Sequence, residues 1–396
     1  MKLIKSIKKW LRQNKGLLFF ILSVFIIWQV LLSGLIALGE RFFPTMTEYL
    51  YTGRVALDPQ WLCCRANFEG IDYLDIAKKG YGIYQQAFFP LYPKLIEFIG
   101  FSPIFRGRLL LAGLFISSIS LFFSLFLFFK LVRLDFNRRI ARRAILYLLI
   151  FPTSFYLAAV YTESLFLVLI LASFYFAKTK NWWLAGIFGL LAASTRLTGV
   201  FLFPALVVEL AFQSGFDQKE KRDLKYFTSN LMPLLFIPLG LIGYMSYLRI
   251  NFLDPLLFAR VQPYFGAGRE TSKLVLLYQV FWRYLKMLIT VDKTSPVYLT
   301  VILEFLSGTL FFFLIVFTYL RRWFAYFTFM ALAYLLPTLT GTFCSMPRYV
   351  LVLFPGFILL SIWAEKYRWV RILYPIIVIP LLIMAVLFFT RGFWLA

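Results

Sequence analysis

Residues 109–132 read LLLAGLFISSISLFFSLFLFFKLV, with the single charge, Lys130, close to the end. As a helix at ~1.5 Å per residue this stretch is about 36 Å long, enough to cross a hydrocarbon layer of ~30 Å. Working outward, residues 17–38, 231–248, 297–320 and 372–390 are further apolar runs at or above the ~18 residues that mark a transmembrane candidate. Of 396 residues, 61% are hydrophobic and only 15% charged, against ~25% charged in soluble domains. The length would allow two or three soluble domains, but no long polar stretch exists to build one. The expected fold is an all-α polytopic membrane protein, with residues 1–396 as one membrane-embedded domain.

The net charge of +23 invites a nucleic-acid reading, and its distribution argues against one. The basic residues fall in short clusters between apolar runs, the signature of cytoplasmic loops and of contact with membrane lipids. The clusters are Lys130, Arg133, Arg138, Arg139, Arg142 and Arg143; Lys178 and Lys180; Lys219, Lys221, Arg222 and Lys225; Arg321 and Arg322; and Lys366, Arg368 and Arg371. Lys2, Lys5, Lys8, Lys9, Arg12 and Lys15 resemble the start of a signal peptide, but the apolar run that follows is too long and no small-residue cleavage site closes it. It reads as a first transmembrane helix with a cytoplasmic amino end. Cys63, Cys64 and Cys344 form neither a disulfide framework nor a metal spacing. There is no histidine, so acid–base chemistry falls to Asp, Glu, Lys or Tyr.

With basic loops inside, the alternation predicts about eleven helices. Residues 144–177 read as two helices around a break at Pro152–Glu163, and residues 184–213 as two around Thr195–Gly199. Non-helical backbone at membrane depth is tolerated only in protein or beside a wet cavity, so both breaks point inward. Two outer segments exceed ordinary connectors, 39–108 and 249–296, and long ordered loops are usually functional. In the first, Glu69–Gly80 has helical periodicity, with Ile71, Leu74 and Tyr81 on one face and Glu69, Asp72 and Lys79 on the other. It reads as an interfacial helix with its carboxylates turned from lipid.

Chemistry has few possible carriers. Glu69, Asp72 and Asp75 form the densest acid cluster, and Glu69 and Asp72 are an i,i+3 pair. Either they are a solvated polar face, or one carboxylate deprotonates an acceptor hydroxyl. Gln85–Pro93, with two prolines and three aromatics, is incompatible with a regular helix and reads as a re-entrant turn or an interfacial aromatic anchor. Glu163, Arg196 and Arg348 are charges at membrane depth, each costing ~2.5–3.5 kcal/mol at a helix centre. They are either a structural ion pair within the bundle or a cationic pocket for a lipid-linked phosphate. Arg260, Gln262 and Arg269 of the second outer segment are candidates to join that pocket, or parts of a solvated loop.

These segments together resemble the PIG-V-like mannosyltransferases, which have the GT-C glycosyltransferase fold. The family's first-loop pattern is roughly aromatic–Asp–Gly–x–His–Tyr–x–x–Ile–Ala–x–x–Gly–Tyr, then Ala–Phe–Phe–Pro–Leu–Tyr–Pro. Here it stands as Phe68-Glu69-Gly70-Ile71-Asp72-Tyr73-Leu74-Asp75-Ile76-Ala77-Lys78-Lys79-Gly80-Tyr81, then Ala87 to Pro93. Weaker echoes follow in the expected order: Pro152 with Tyr161 to Phe166, Arg196 to Gly199, Asp254-Pro255 with Gln262, and Arg348-Tyr349 with Phe354-Pro355.

The resemblance implies a polyprenyl-phosphate sugar donor, with mannose the expected sugar, and a lipid, glycan or protein acceptor hydroxyl outside the cytoplasm. It implies inversion, no cofactor and no metal, because arginines can hold a departing lipid phosphate. The bacterial cytoplasmic membrane is the expected location, with the active site facing outside. The acidic residue of the first outer loop is the family's proposed general base, a role that carries over to Glu69. Tyr73, Tyr92, Tyr161, Glu163, Arg196, Gln262, Arg269, Arg348 and Tyr349 are the candidate substrate-binding residues. Two positions depart from the pattern: Glu69 replaces aspartate, and Asp72 replaces histidine. The second change adds an anion beside the base, which raises the pKa of Glu69 or moves the base role to Asp72. The competing readings are a secondary transporter or lipid flippase, which also uses broken helices and buried charges, and an inactive scaffold.

Overall fold

The computed structural model describes residues 2–46, 59–217, 222–265 and 274–395. The described chain is helical, with no strand, and is an integral membrane protein. Five helices are long and apolar enough to cross a membrane: Asn14–Phe42, Leu109–Asp135, Leu224–Phe252, Pro296–Leu320 and Arg368–Thr390. Each contains one of the five runs read from the sequence. A sixth span is counted if Met346–Val352 and Phe354–Lys366, bent by 80°, cross as one. About eleven crossings were expected. The difference lies in short apolar helices such as Trp182–Ala193 and Phe324–Thr338. A helix of 12 residues is only about 18 Å long and cannot cross ~30 Å alone.

Both expected breaks are present, and each shows how its backbone is satisfied. The helix Arg138–Leu149 stops before Pro152, a 3-10 turn covers Ser154–Ala158, and a helix resumes over Glu163–Lys178. The Leu149 carbonyl, left over at the break, accepts from Ser154 Oγ at 2.6 Å and from the Trp28 indole at 2.8 Å. The second break separates Trp182–Ala193 from Leu202–Gln213 through a 3-10 turn at Leu197–Phe201. There the chain doubles back so closely that a Cβ on Gly199 would lie 2.4 Å from the Ala192 carbonyl. Only glycine fits that approach.

The basic connections gather at one end of the bundle. Lys178 pairs with Asp135 at 3.1 Å, Arg143 with Glu365 at 2.8 Å, and the Phe136 ring packs on Trp323. Phe212 stacks on Phe324, and Lys130 donates to Asn14. The helix Glu163–Lys178 runs from this end for 16 residues, about 24 Å, to Glu163. Glu163, Arg196, Arg348 and the first long connection therefore share the opposite end. If the basic end is cytoplasmic, a cysteine at exposed Ile83 is labelled by an impermeant thiol reagent on intact cells, in a background without Cys63, Cys64 and Cys344. A cysteine at Arg139 is spared. The reverse pattern would invert the orientation.

The first connection contains helices Gln60–Cys63, Glu69–Lys79 and Leu91–Gly100. Two details differ from the expectations. The buried face of Glu69–Lys79 is Gly70, Tyr73, Leu74, Ile76 and Ala77, rather than Ile71, Leu74 and Tyr81. Protein contact, not lipid, selects it: a Cβ on Gly70 would stand 3.4 Å from the Val160 carbonyl, in the first break. The segment 85–93 does not stay irregular, because Tyr92 and Pro93 lie in the first turn of Leu91–Gly100. Proline is tolerated there, where its missing N–H would have no intrahelical partner.

Candidate active site

Glu69 opens its helix after Phe68, whose backbone is in an unusual conformation (φ 58°, ψ −123°). That conformation is held from the far end of the chain. The Phe68 ring packs on Phe389 and Trp394, and Asn67 Nδ2 donates to the Phe389 carbonyl at 3.0 Å. Tyr161 Oη donates to the Asn67 carbonyl at 2.8 Å. The last helix and the first break thus together set the direction in which Glu69 points.

It points at Arg348. Arg348 Nη2 donates to Glu69 Oε1 at 2.7 Å. Arg348 Nε lies 3.5 Å from Glu163 Oε1, which also accepts from Arg196 Nη1 at 2.6 Å. Glu69, Arg348, Glu163 and Arg196 are therefore one alternating chain of four charges, drawn from the first connection, both breaks and the short helix Met346–Tyr349. Arg348 and Glu163 are 3% and 1% exposed. Buried charges persist only when paired. Aromatic faces complete the cage: the Arg348 guanidinium lies over Tyr156, Tyr161 and Tyr349, and that of Arg196 over Tyr349. Even so, Arg348 Nη1 and Glu163 Oε2 are buried without a hydrogen-bond partner among the described residues.

Three of the four charges line one cavity of about 280 Å³: Glu69, Arg196 and Arg348. Tyr73, Gln262 and Tyr349 line it too, with Thr162, Thr195, Thr198 and Thr340. Its remaining wall is apolar and includes Ala333, Leu336, Pro337 and Val352. The cavity therefore combines charged and hydroxyl groups with hydrocarbon wall.

Other candidates lie elsewhere. Glu163 and Tyr161 are not among the lining residues; they stand behind the arginines and hold them. Tyr92 is fully buried in the bundle, where its hydroxyl meets Ser117 Oγ at 2.8 Å and the Gly113 carbonyl at 3.2 Å. It supports Tyr73 edge-on at 5.2 Å and does not line the cavity. Arg269 lies outside the described residues. Arg260 pairs with Asp254 at 3.1 Å and is largely exposed.

Asp72 is one turn beyond Glu69 and does not line the cavity. Its Oδ1 accepts from Gln85 Nε2 at 3.0 Å, tying the helix to the turn before residue 88. Burial pushes its carboxyl up to about 6, with Glu69 and Asp75 adding to the rise and the Gln85 bond opposing it. The sign follows from proton linkage. Between the ordinary carboxylate value and about pH 6 the folded state holds a proton that the unfolded state has lost, so stability falls as pH rises through that window. Asp72→Asn should therefore raise the melting temperature at pH 7.5 and change it little near pH 4. A variant less stable than the parent at pH 7.5 would contradict this account.

Thr162, Thr195 and Thr198 lie in the two breaks that the sequence marks as pointing inward, whereas Thr340 and the apolar wall carried no sequence signal, since neither charge nor periodicity distinguishes them from ordinary bundle residues. A further buried carboxylate, Glu304 in the run 297–320, was marked by the same signal as Glu163, a lone charge at membrane depth, and was missed.

No family model and no curated protein matches this sequence. Among solved structures, the Archaeoglobus fulgidus oligosaccharyltransferase in its apo form is similar at 13% identity and a TM-score of 0.46, covering 95% of this chain and 56% of that one. The same enzyme tethered through a disulfide to an acceptor peptide with the NVT sequon is similar at 15% identity and a TM-score of 0.42, covering 97% and 56%. This chain spans little more than half the length of the structures it matches, and likeness of this degree identifies no family.

Proposed function

We propose that this chain is a membrane glycosyltransferase of GT-C-like fold, in one membrane-embedded domain. It moves a sugar, with mannose the expected one, from a polyprenyl-phosphate carrier to an acceptor hydroxyl on the face opposite the basic connections. The observation that carries the reading is the joining of one carboxylate, two arginines and a hydrocarbon wall in a single cavity. Transfer from a polyprenyl-phosphate sugar needs all three: cations for the phosphate, an apolar surface for the prenyl chain, and a base for the acceptor hydroxyl.

The chemistry follows from the geometry. Glu69 takes the proton of the acceptor hydroxyl, and the oxygen forms a bond to the anomeric carbon. The bond from that carbon to the phosphate oxygen breaks on the opposite face, so configuration inverts. The electron pair leaves with the lipid phosphate, whose added negative charge faces Arg348 and Arg196. Arg348 lines the cavity, and its Nη1, buried with no acceptor among the described residues, gains one when the guanidinium turns to a phosphate oxygen. A phosphate there also competes with Glu69 for the guanidinium, which loosens the carboxylate as the donor arrives. On this reading the donor binds first.

The test is turnover by purified protein in detergent or liposomes, with polyprenyl-phosphate mannose and polyprenyl-phosphate glucose offered in parallel beside a panel of lipid, glycan and peptide acceptors. Sugar transfer from either supports the enzyme reading, and the preferred donor names the sugar. Movement of the intact lipid across the bilayer without transfer would establish a flippase instead.

A further inference from the structure

The helix Pro296–Leu320 carries one charge, Glu304, in the middle of an apolar span. A lone carboxylate at that depth is costly and is retained for a reason, and the chemistry above does not use it. Glu304 is buried. Its Oε2 accepts from Tyr284 Oη at 2.6 Å, and its Oε1 accepts from the Ser345 backbone N–H at 3.1 Å. The Tyr284 hydroxyl also meets Thr342 Oγ1 at 3.1 Å, and Thr342 Oγ1 accepts from the Cys344 N–H at 3.0 Å. One carboxylate therefore ties down the segment 342–345.

That segment presents Arg348. Ser345 has left-handed backbone (φ 63°, ψ 8°), a conformation that side-chain-bearing residues adopt only when their surroundings enforce it. The Ser345 carbonyl accepts from the N–H groups of Arg348 at 3.1 Å and Tyr349 at 3.0 Å, so it starts the short helix that carries them. One turn along from Glu304, a Cβ on Gly308 would stand 3.2 Å from the Phe343 ring, which packs directly on the helix. The face bearing Glu304 and Gly308 thus seats the whole turn.

We propose that Glu304 is a positioning residue: by accepting the Ser345 N–H it holds the left-handed turn that aims Arg348 into the cavity. The inference rests on the reading of Arg348 as the ligand of a lipid phosphate. It names no part for Glu304 in proton transfer, and substitution separates the two roles. In Glu304→Gln the amide oxygen still accepts from Ser345, while its NH2 donates to Tyr284 Oη, whose own proton turns to Thr342. Glu304→Leu removes the acceptor and leaves a buried N–H unsatisfied.

Two readouts test this, in a background with Cys63 and Cys64 replaced by serine. The first is labelling of the native Cys344, a buried neighbour of Ser345, by a small thiol reagent. Glu304→Leu should speed it about tenfold, the kinetic equivalent of losing one buried hydrogen bond, and Glu304→Gln should restore most of the protection. The second is binding of a short-chain polyprenyl phosphate. Glu304→Leu should weaken it about tenfold and Glu304→Gln much less. Combined with Arg348→Lys, Glu304→Leu should add little, because both act through one guanidinium. Unchanged Cys344 labelling in Glu304→Leu would overturn the proposal, as would a Glu304→Gln variant no better than leucine in both readouts. If labelling responds as expected but the parent protein binds no polyprenyl phosphate, the positioning role stands and the donor reading of the cavity fails.

Discussion

Glu69→Gln is expected to lower turnover by ~10²–10⁴-fold, the usual contribution of a positioned general base, with donor affinity no weaker than in the parent, because the neutral amide competes less than the carboxylate for Arg348. The substitution keeps size and removes basicity. Its amide oxygen can still accept from Arg348 Nη2, so the 2.7 Å contact has a neutral substitute and the turn around Arg348 keeps a partner. Asp72 is the competing base, and the structure separates the two: Glu69 lines the cavity, whereas Asp72 is bonded to Gln85 and does not. Asp72→Asn should therefore cost far less turnover. The check is initial rate at saturating donor for both variants, matched by size-exclusion profile and melting temperature. A dead Asp72→Asn beside an active Glu69→Gln would move the base to Asp72. Activity in both would mean that the first connection supplies no base.

Arg348→Ala is expected to have the largest effect of any single substitution, on binding and on the fold together. It removes the 2.7 Å partner of Glu69 and leaves Glu163 with only Arg196 among the described cations. Breaking a buried ion pair by deleting one partner costs ~3–5 kcal/mol, and a charge-assisted bond to the donor phosphate is worth ~1.5–3 kcal/mol, roughly 10- to 150-fold in affinity. Arg348→Lys separates these terms. It keeps a cation near both carboxylates, so the melting temperature should recover. It lacks the planar fork that reaches Glu69, Glu163 and a phosphate at once, so donor affinity should recover only in part. Arg196→Ala should weaken donor binding less, because Arg196 meets Glu163 alone among the carboxylates described here. Titration with a short-chain polyprenyl phosphate decides the point. Donor affinity unchanged in both alanine variants would remove the arginines from the phosphate site and leave them as a structural pair.

Much of the frame was legible in the sequence, because its causes are local. Each long span is a run of adjacent apolar residues, and water rejects such a run whatever surrounds it. The breaks at Pro152 and Gly199 come from a missing N–H and a missing Cβ, properties of single residues. The clustering of basic connections at one end follows from their alternation between spans. Glu163, Arg196 and Arg348 were suspect because an isolated charge at depth is costly, a cost readable without coordinates, whereas Glu69 stood out in the acid cluster of the first outer segment and by the family resemblance. The resemblance also reached Tyr92, which packs in the bundle instead of lining the cavity, because a motif match assigns importance without saying whether a residue supports the cavity or faces it.

What the sequence by itself determined is an all-helical membrane bundle, broken in two places, with Glu163, Arg196, Arg348 and the first connection's acid cluster toward the end opposite its basic connections. The tertiary structure decided which of those charges meet. Glu69 and Arg348 are 279 positions apart, and no periodicity relates them. They touch because Phe68 is clamped against Phe389 and Trp394, and because Glu304 holds the turn before Arg348. Hydrophobicity and charge say which face of a helix avoids water, but not which neighbour it finds there. That choice depends on the shapes of side chains packed from distant parts of the chain. The same packing turned Gly70 rather than Ile71 into the bundle, left Asp72 beside Gln85, and joined two arginines and a carboxylate to an apolar wall.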